Sequence, residues 1–434
     1  MAIAAPNTST TTSASEPTAS YTVPLAVVTT LFFMWGFLTC LNDILVPHLK
    51  PIFDLNYKEI MLIQFAFFGA YFLFSIPSAK VIDWIGYQRS MVVGLLTMGV
   101  GAFLFVPAAS VPSYPLFLMA LIVLAAGITC LQVAANPYVT VLGKSQTASS
   151  RLNLTQAFNS LGTFLAPFFG GLLILSAAPL TIKEIRALAP DALQAYRLHE
   201  AATVKLPYIG LGIALVLLAV AIGSFKLPKI PHAQHQIGEK VNDSIWRHPN
   251  LIFGAIAIFV YVGAEVSIGS FLVNYFSQPD IGGLTEKAAA SFVAFYWGGA
   301  MVGRFIGSGL LQKIKTGHLL GICAVCAAAL VAVSMMSTGH FAMWSIILVG
   351  FFNSIMFPSI FTLGVAELGP LTGDGSGVMI MAIVGGAIIP LAQGAVADRI
   401  GIHHAFFLPV ICYLYILFFA VSGSKPNSER RAKA

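Results

Sequence analysis

Residues 113–143 read SYPLFLMALIVLAAGITCLQVAANPYVTVLG, with no Asp, Glu, Lys or Arg among them. About 20 apolar residues suffice for a helix to cross the ~30 Å hydrocarbon core of a bilayer. This stretch is long enough to do so. A membrane β-strand would instead show about ten residues of strict alternation. The same stretch carries its own irregularities: Gln132 and Asn136 stand at i, i+4 on one helical face, and Pro137 follows. How often such a stretch recurs, and in what order, decides the architecture.

It recurs eleven times. Spans are predicted at 22–48, 58–82, 88–108, 113–142, 152–177, 206–226, 250–276, 287–311, 318–338, 341–366, 376–397 and 403–423, which makes an all-α membrane protein of twelve transmembrane helices. Composition agrees. Of 434 residues only 9 % are charged, against about 25 % in soluble domains. So few charges cannot coat a soluble surface of this size, which excludes a cytosolic enzyme, a secreted module and a disordered scaffold. The net charge of +6 lies in single residues and small groups beside apolar runs. There it reads as a topology signal, and no nucleic-acid partner is expected. With the N-terminus in the cytoplasm, 15 Lys and Arg fall inside and 8 outside, four of the latter in one long outer loop at 178–205. The bias predicts both termini inside, in a bacterial inner membrane.

Residues 1–21 are rich in Ser, Thr and Ala and lack Lys and Arg. Without a basic start and an apolar core they read as a disordered cytoplasmic tail, not a signal peptide. Residues 424–434 form a basic cytoplasmic tail with Lys425, Arg430, Arg431 and Lys433. The five cysteines all fall in apolar stretches, Cys323 and Cys326 as a CxxC; they read as packing residues, not as disulfides.

The polar stretch 227–249 is the one long cytoplasmic connection, so it divides the chain into six-helix halves at 22–226 and 250–423. The halves repeat. Asn136-Pro137-Tyr-Val-Thr-Val-Leu-Gly143 matches Phe357-Pro358-Ser-Ile-Phe-Thr-Leu-Gly364 at an offset of 221, and Gly36 matches Gly263 at 227. Parallel repeats with a site between them are a transporter architecture. The loop Ala79-Lys-Val-Ile-Asp83-Trp-Ile-Gly86-Tyr-Gln-Arg89 resembles the GxxxDxxGxR loop of the major facilitator superfamily, which casts Asp83 and Arg89, with Arg304, as a conformational latch. Gly299, Gly303 and Gly307 are spaced by four, a pattern for close helix approach. Gly373-Asp-Gly375-Ser-Gly377 reads as a flexible cytoplasmic turn before the eleventh span.

A charge in hydrocarbon is costly, about 2.5–3.5 kcal/mol on insertion scales, and points to function. Of 17 acidic residues two fall inside spans: Asp43 and Glu265, on the first helices of the two halves. Both are candidates for holding a coupling cation. His48 and His340 sit near span ends and read as interfacial. Buried amides are the second signal. Gln132, Asn136, Gln156 and Asn159, with Asn153, Ser160 and Thr163 beside them, cluster on spans 4 and 5; Asn42, Asn274 and Asn353 add others. An amide offers donor and acceptor together, which suits a sugar hydroxyl. Trp35, Tyr261, Tyr296 and Trp297 are candidates for packing an apolar sugar face.

Leu41-Asn-Asp43-Ile-Leu-Val-Pro47, Ala134-Ala-Asn136-Pro137-Tyr and Arg151-Leu-Asn-Leu-Thr-Gln156-Ala-Phe-Asn159-Ser-Leu-Gly162, with Pro190…Ala195-Tyr196 and Gly303-Arg304-Phe305, look like the fucose–galactose–hexuronate branch of that superfamily. The resemblance covers the chain after its tail. It implies a major facilitator fold of two pseudo-symmetric halves. It also implies a monosaccharide substrate carried by proton or sodium symport, in a protein that works as a monomer without a cofactor. In the branch's fucose permeases an Asp at the position of Asp43 and a Glu on span 4 serve coupling and recognition. Here Gln132 replaces that Glu, and Gln132 with Gly263-Ala-Glu265-Val is similar to the glucose/galactose members instead. Gln cannot carry a proton, so coupling falls to Asp43, Glu265 or both, with a sodium site near Asp43 and Asn42 as the other option. Gln132, Asn136, Gln156, Asn159 and Asn353 are expected to bind sugar. A fucose permease and an efflux transporter of the same superfamily are the alternatives. No catalytic constellation supports an enzyme.

Overall fold

The structure is a computed structural model. It describes the backbone of residues 21–53, 57–111, 113–174, 187–228 and 243–428, and the side chains of these except 41–53, 57–61, 170–174, 197 and 200–204. Most of the predicted N-terminal tail and of the 227–249 linker lies outside the described residues, as do residues 178–186 of the outer loop and the side chains of Asn42, Asp43 and His48. Among the described residues there is no strand.

The helices are α1 (Thr22–Phe53), α2 (Tyr57–Ser110), α3 (Tyr114–Val141), α4 (Ala148–Ile174), α5 (Pro190–Ser224), α6 (Pro249–Phe276), α7 (Glu286–Leu310), α8 (Thr316–Met336), α9 (Gly339–Asn353), α10 (Met356–Gly364), α11 (Thr372–Met381), α12 (Gly385–Ile400), α13 (Ile402–Ala405) and α14 (Phe407–Phe418). Ten segments among the described residues are long and apolar enough to cross a membrane. One of them, Leu62–Ser110, holds 49 residues. At about 1.5 Å per residue it would reach far beyond a ~30 Å core if straight. It is not straight: Gly86 breaks it with φ 81° and ψ 168°. That region of backbone space favours glycine, which has no Cβ to clash there. The predicted spans 58–82 and 88–108 lie on either side of it. Helix α4 is not counted among the ten.

Two expectations need correcting. Residues 373–377 are not a flexible turn but lie inside α11, and all but Asp374 are buried. The glycines serve packing: a Cβ on Gly377 would come within 3.0 Å of Ala79 Cβ and 3.2 Å of the Ser75 carbonyl on α2. The outer loop is also partly helical: α5 starts at Pro190, although its apolar membrane-length segment begins at Lys205, beside the predicted start of the span at 206. Proline is pre-set for a first helical turn, Asp191 suits the positive end, and Ala, Leu and Gln continue it.

Large apolar side chains such as Leu73, Leu217 and Phe341 are exposed around the outside, as a lipid-facing surface requires. Helices α1 to α5 pack chiefly on one another, as do α6 to α14. Between the two groups α11 lies on α2 and α3, while α4 lies on α7 and α10. These contacts exchange under the sequence repeat, which relates the second span to the eighth, the fourth to the tenth and the fifth to the eleventh. The duplication seen in the offsets is therefore present in the contacts.

Candidate functional site

Proline prepares the site. Its missing N–H leaves the carbonyl four residues earlier without a helical partner, and in hydrocarbon that carbonyl must find another. Pro137 frees the carbonyl of Val133, which accepts a hydrogen bond from Ser376 Oγ of α11, 2.8 Å. Pro358 frees that of Ser354, which accepts from Arg304 Nε of α7, 3.3 Å. The tenth span is broken here into α9 and α10, and the Asn353 carbonyl accepts from Tyr261 Oη at 3.1 Å. Repeat-related prolines thus create repeat-related acceptors, 133 and 354 being again 221 apart.

Each group of helices carries one amide–phenol brace. Gln132 Nε2 donates to Tyr71 Oη, 2.7 Å. Asn353 Nδ2 donates to Tyr296 Oη, 2.9 Å. Gln132 and Asn353 are 221 apart; the tyrosines are 225 apart. Gln156 Nε2 donates to Asn136 Oδ1 at 3.4 Å, joining α4 to α3. Asn136 Nδ2 and Asn353 Oδ1 are buried without a partner among the described residues. Such groups are rare in an apolar interior and call for a polar partner; the Tyr413 hydroxyl lies near Asn353. Asn159 is half-buried and donates to the Phe32 carbonyl of α1, 2.9 Å. There α1 and α4 approach so closely that a Cβ on Gly36 would strike the Asn159 carbonyl.

Glu265 is partly buried on α6 and lies 2.8 Å from Tyr261 Oη, whose single proton is shared between Glu265 and the Asn353 carbonyl. Arg304, Tyr296 and Tyr413 are the other groups of α7 and α14 within its electrostatic reach. Glu265 and Arg304 line one cavity of about 530 Å³ together with Cys40, Asn159, Ser160, Thr163 and Trp297. It lies on the seam where α4 meets α7. Arg304 Nη1 reaches across that seam to Ser160 Oγ.

One end of the seam is shut by hydrogen bonds and an ion pair. Ser149 Oγ and Thr362 Oγ1 are 2.6 Å apart, Ser150 Oγ donates to the Ser308 carbonyl at 2.7 Å, and Asn153 Nδ2 donates to that of Arg304 at 2.7 Å. On the other side Lys80 Nζ meets Asp374 Oδ1 at 2.8 Å and Asp83 Oδ2 at 3.4 Å. Of the expected latch, Asp83 stands beside the first turn of α11, whereas Arg89 makes no ion pair among the described residues. Arg151 caps α3 by donating to the carbonyls of Thr140, at 2.9 Å, and Lys144, at 2.7 Å.

The sequence-predicted binding and coupling residues therefore fall into two neighbourhoods. Gln132, Asn136 and Gln156 form one; Glu265, Asn353 and Arg304 another; Asn159 joins the second through the shared cavity. Tyr71 and Tyr413 are additions. Their hydroxyls sit in apolar runs, which was the available signal, but a span tyrosine more often packs or anchors at an interface. Trp35 is buried against Phe32, while Trp297 is half-exposed. The five cysteines are free.

Residues 27–384 match the sequence profile of the Major Facilitator Superfamily. The chain is 54 % identical over 406 residues to a glucose/galactose transporter of Brucella abortus, covering 94 % of this chain and 95 % of that one. It is 36 % identical over 412 residues to the L-fucose-proton symporter of Escherichia coli, covering 92 % and 93 %. The crystal structure of the transporter FucP in its outward conformation superposes with a TM-score of 0.87 at 34 % identity, over 93 % of this chain and 99 % of that one.

Proposed function

The chain belongs to the major facilitator superfamily, and on that footing we propose that it is a proton-coupled monosaccharide importer that works by alternating access. It is not an enzyme. The preferred substrate is glucose or galactose, the sugars named for the Brucella relative; the proton is the ion named for the fucose symporters.

Twelve crossings follow from the ten apolar segments when α2 is counted twice about Gly86 and α4 is added. The halves are 22–226 and 250–423, joined by 227–249. The Lys and Arg bias places the shut end of the seam, with both termini, on the cytoplasmic side of the inner membrane. The described state then faces outward, which suits the resemblance to FucP in that conformation. A monomer has all the parts this scheme needs.

The observation that carries the reading is the polar neighbourhood of Glu265, Asn353, Tyr261 and Arg304 within the spans and on the seam between the halves. A carboxylate in that place can take up and release a proton. Amides on both sides can hold sugar hydroxyls: Gln132, Asn136, Gln156 and Asn159 from one half, Asn353 from the other. Asp43, whose side chain lies outside the described residues, shares the coupling role with Glu265. Sugar binds well once the negative charge is neutralised, so proton and sugar move together.

Purified protein in proteoliposomes tests this directly. Radiolabelled galactose and glucose are expected to accumulate under an inward proton gradient, with no requirement for sodium. Equilibration without accumulation would remove the coupling role from both carboxylates. No uptake of either sugar would move the substrate class.

A further inference from the structure

Arg304 has three kinds of neighbour. Its Nε is held by the carbonyl that Pro358 sets free on Ser354. Its Nη1 is held by Ser160 on α4. Ser160 gives its own proton to the Gln156 carbonyl, 3.1 Å away, so its lone pairs are turned toward the guanidinium. The third neighbour is Glu265, on the wall of the same cavity. It makes no ion pair with Arg304; its carboxylate accepts from Tyr261 instead. In a low-dielectric layer a guanidinium and a carboxylate that share a cavity attract strongly. Here the guanidinium is anchored to Ser160, a residue of the opposite half.

We propose that Ser160 and Arg304 form a clip that withholds the guanidinium from Glu265 while α4 and α7 are together, and that separation of these helices hands it over, expelling the proton that Glu265 carries. The proposal rests on the symport reading. Protons balance: the carboxylic acid of Glu265 loses its proton to water on the side then open, and Arg304 keeps its charge throughout. The carboxylate left behind pairs with the guanidinium. When α4 and α7 close again, Ser160 recaptures Arg304 and Glu265 takes a proton from the other side. Ser160 is thus a positioning residue for proton release.

The groups facing Glu265 leave this task to Arg304. They are Tyr261 on its own helix, Tyr296 and Arg304 on α7, Tyr413 on α14 and Cys40 of α1 on the cavity wall. Phenols and thiols are neutral at pH 7 at their ordinary values. Arg304 is therefore the one charged partner among the described residues.

The test compares wild type and Ser160→Ala in proteoliposomes, with galactose uptake followed as external pH is varied at fixed internal pH. Without the clip, Arg304 is free to pair with Glu265 in the outward state, and protonation from outside becomes harder. The half-maximal external pH is expected to fall by about 1 unit, the size of shift an opposite charge nearby imposes. Ser160→Cys keeps the volume but offers a weak acceptor, and should shift the same way if the alanine variant does not reach the membrane. A proton-driven wild type with an unmoved midpoint in the variant overturns the clip alone. A wild type indifferent to the proton gradient overturns the symport reading and the clip with it.

Discussion

Glu265 and Asp43 have different status at the scale of single residues. Both stood out in the sequence because a carboxylate in an apolar run has no bland role. The structure adds for Glu265 a donor, Tyr261, and a cation on the same cavity, Arg304. Glu265→Gln keeps shape and hydrogen bonding but cannot ionise. Exchange of sugar between preloaded vesicles is expected to persist at roughly wild-type rate, while uphill accumulation under a proton gradient disappears; full accumulation would remove Glu265 from the coupling. Asp43→Asn is expected to behave likewise in the same assay. What the sequence could not disclose is partnership. Nothing in the run around Tyr71 says that its hydroxyl receives the Gln132 amide, because that pairing joins residues 61 positions apart. The spacing of Gly299, Gly303 and Gly307 was more legible, and α4 shows the same need for close approach at a glycine whose packing the sequence did not disclose. A Cβ on Gly162 would lie 2.9 Å from the Phe37 nitrogen and nearer still to the Phe33 carbonyl. Gly162→Val should cost about 1–3 kcal/mol, the usual size of overpacking, seen as a lower melting temperature of the purified protein.

At the scale of elements, hydrophobic runs gave helices with little ambiguity, since nothing but a helix satisfies the backbone of a lone segment in lipid. Their breaks were harder to read. Gly373 to Gly377 resembles a loop on composition, yet the stretch is helical, with Gly377 pressed on α2 and Gly375 on Leu368. The prolines at 137 and 358 were legible as a repeat but not as makers of acceptors. Pro358→Ala returns an N–H to the Ser354 carbonyl and competes with Arg304 for it. The substitution is expected to straighten the junction of α9 and α10 and to slow sugar exchange several-fold, whereas Pro107→Ala on α2, which does not line the cavity of Glu265 and Arg304, serves as the comparison in the same exchange assay. The Lys80–Asp374 bridge joins α2 to α11 at the shut end. Its lysine is half-exposed, so its worth is about 0.2–1 kcal/mol. Lys80→Ala should therefore raise the population open at that end by up to about fivefold, measured as faster maleimide labelling of a cysteine placed at Thr362 in a background without the native cysteines.

The whole molecule is a duplication whose two seams have diverged. The pairing of α2 with α11 corresponds to that of α7 with α4. Asp374 corresponds to Asn153 at the offset of 221 that relates the two prolines; Lys80 of the second span faces the former, and Gly307 of the eighth faces the latter. A Cβ on Gly307 would lie 3.1 Å from Asn153 Nδ2, so this pair does meet. At these positions one seam holds an ion pair and the other a neutral amide against a glycine. The repeat was visible in the sequence at two places, but this divergence was not, since it needs the facing residues of separate helices.

A difference in charge between two seams is also a difference in how each responds to the surrounding electrolyte. Lys80 and Asp374 keep side-chain exposures of 49 % and 25 %, so mobile ions reach them. Their attraction is screened over a Debye length of about 8 Å at physiological ionic strength and about 3 Å at 1 M. On the other seam the facing pair Asn153 and Gly307 is neutral, and the charge that crosses it, Arg304, is held inside the spans, where screening is much weaker. Added salt that is not itself transported should therefore loosen one hinge line and leave the other as it was, making the opening motion at high ionic strength faster and more lopsided. Spin labels across each seam would register this as a broadened distance distribution on the α2–α11 side alone.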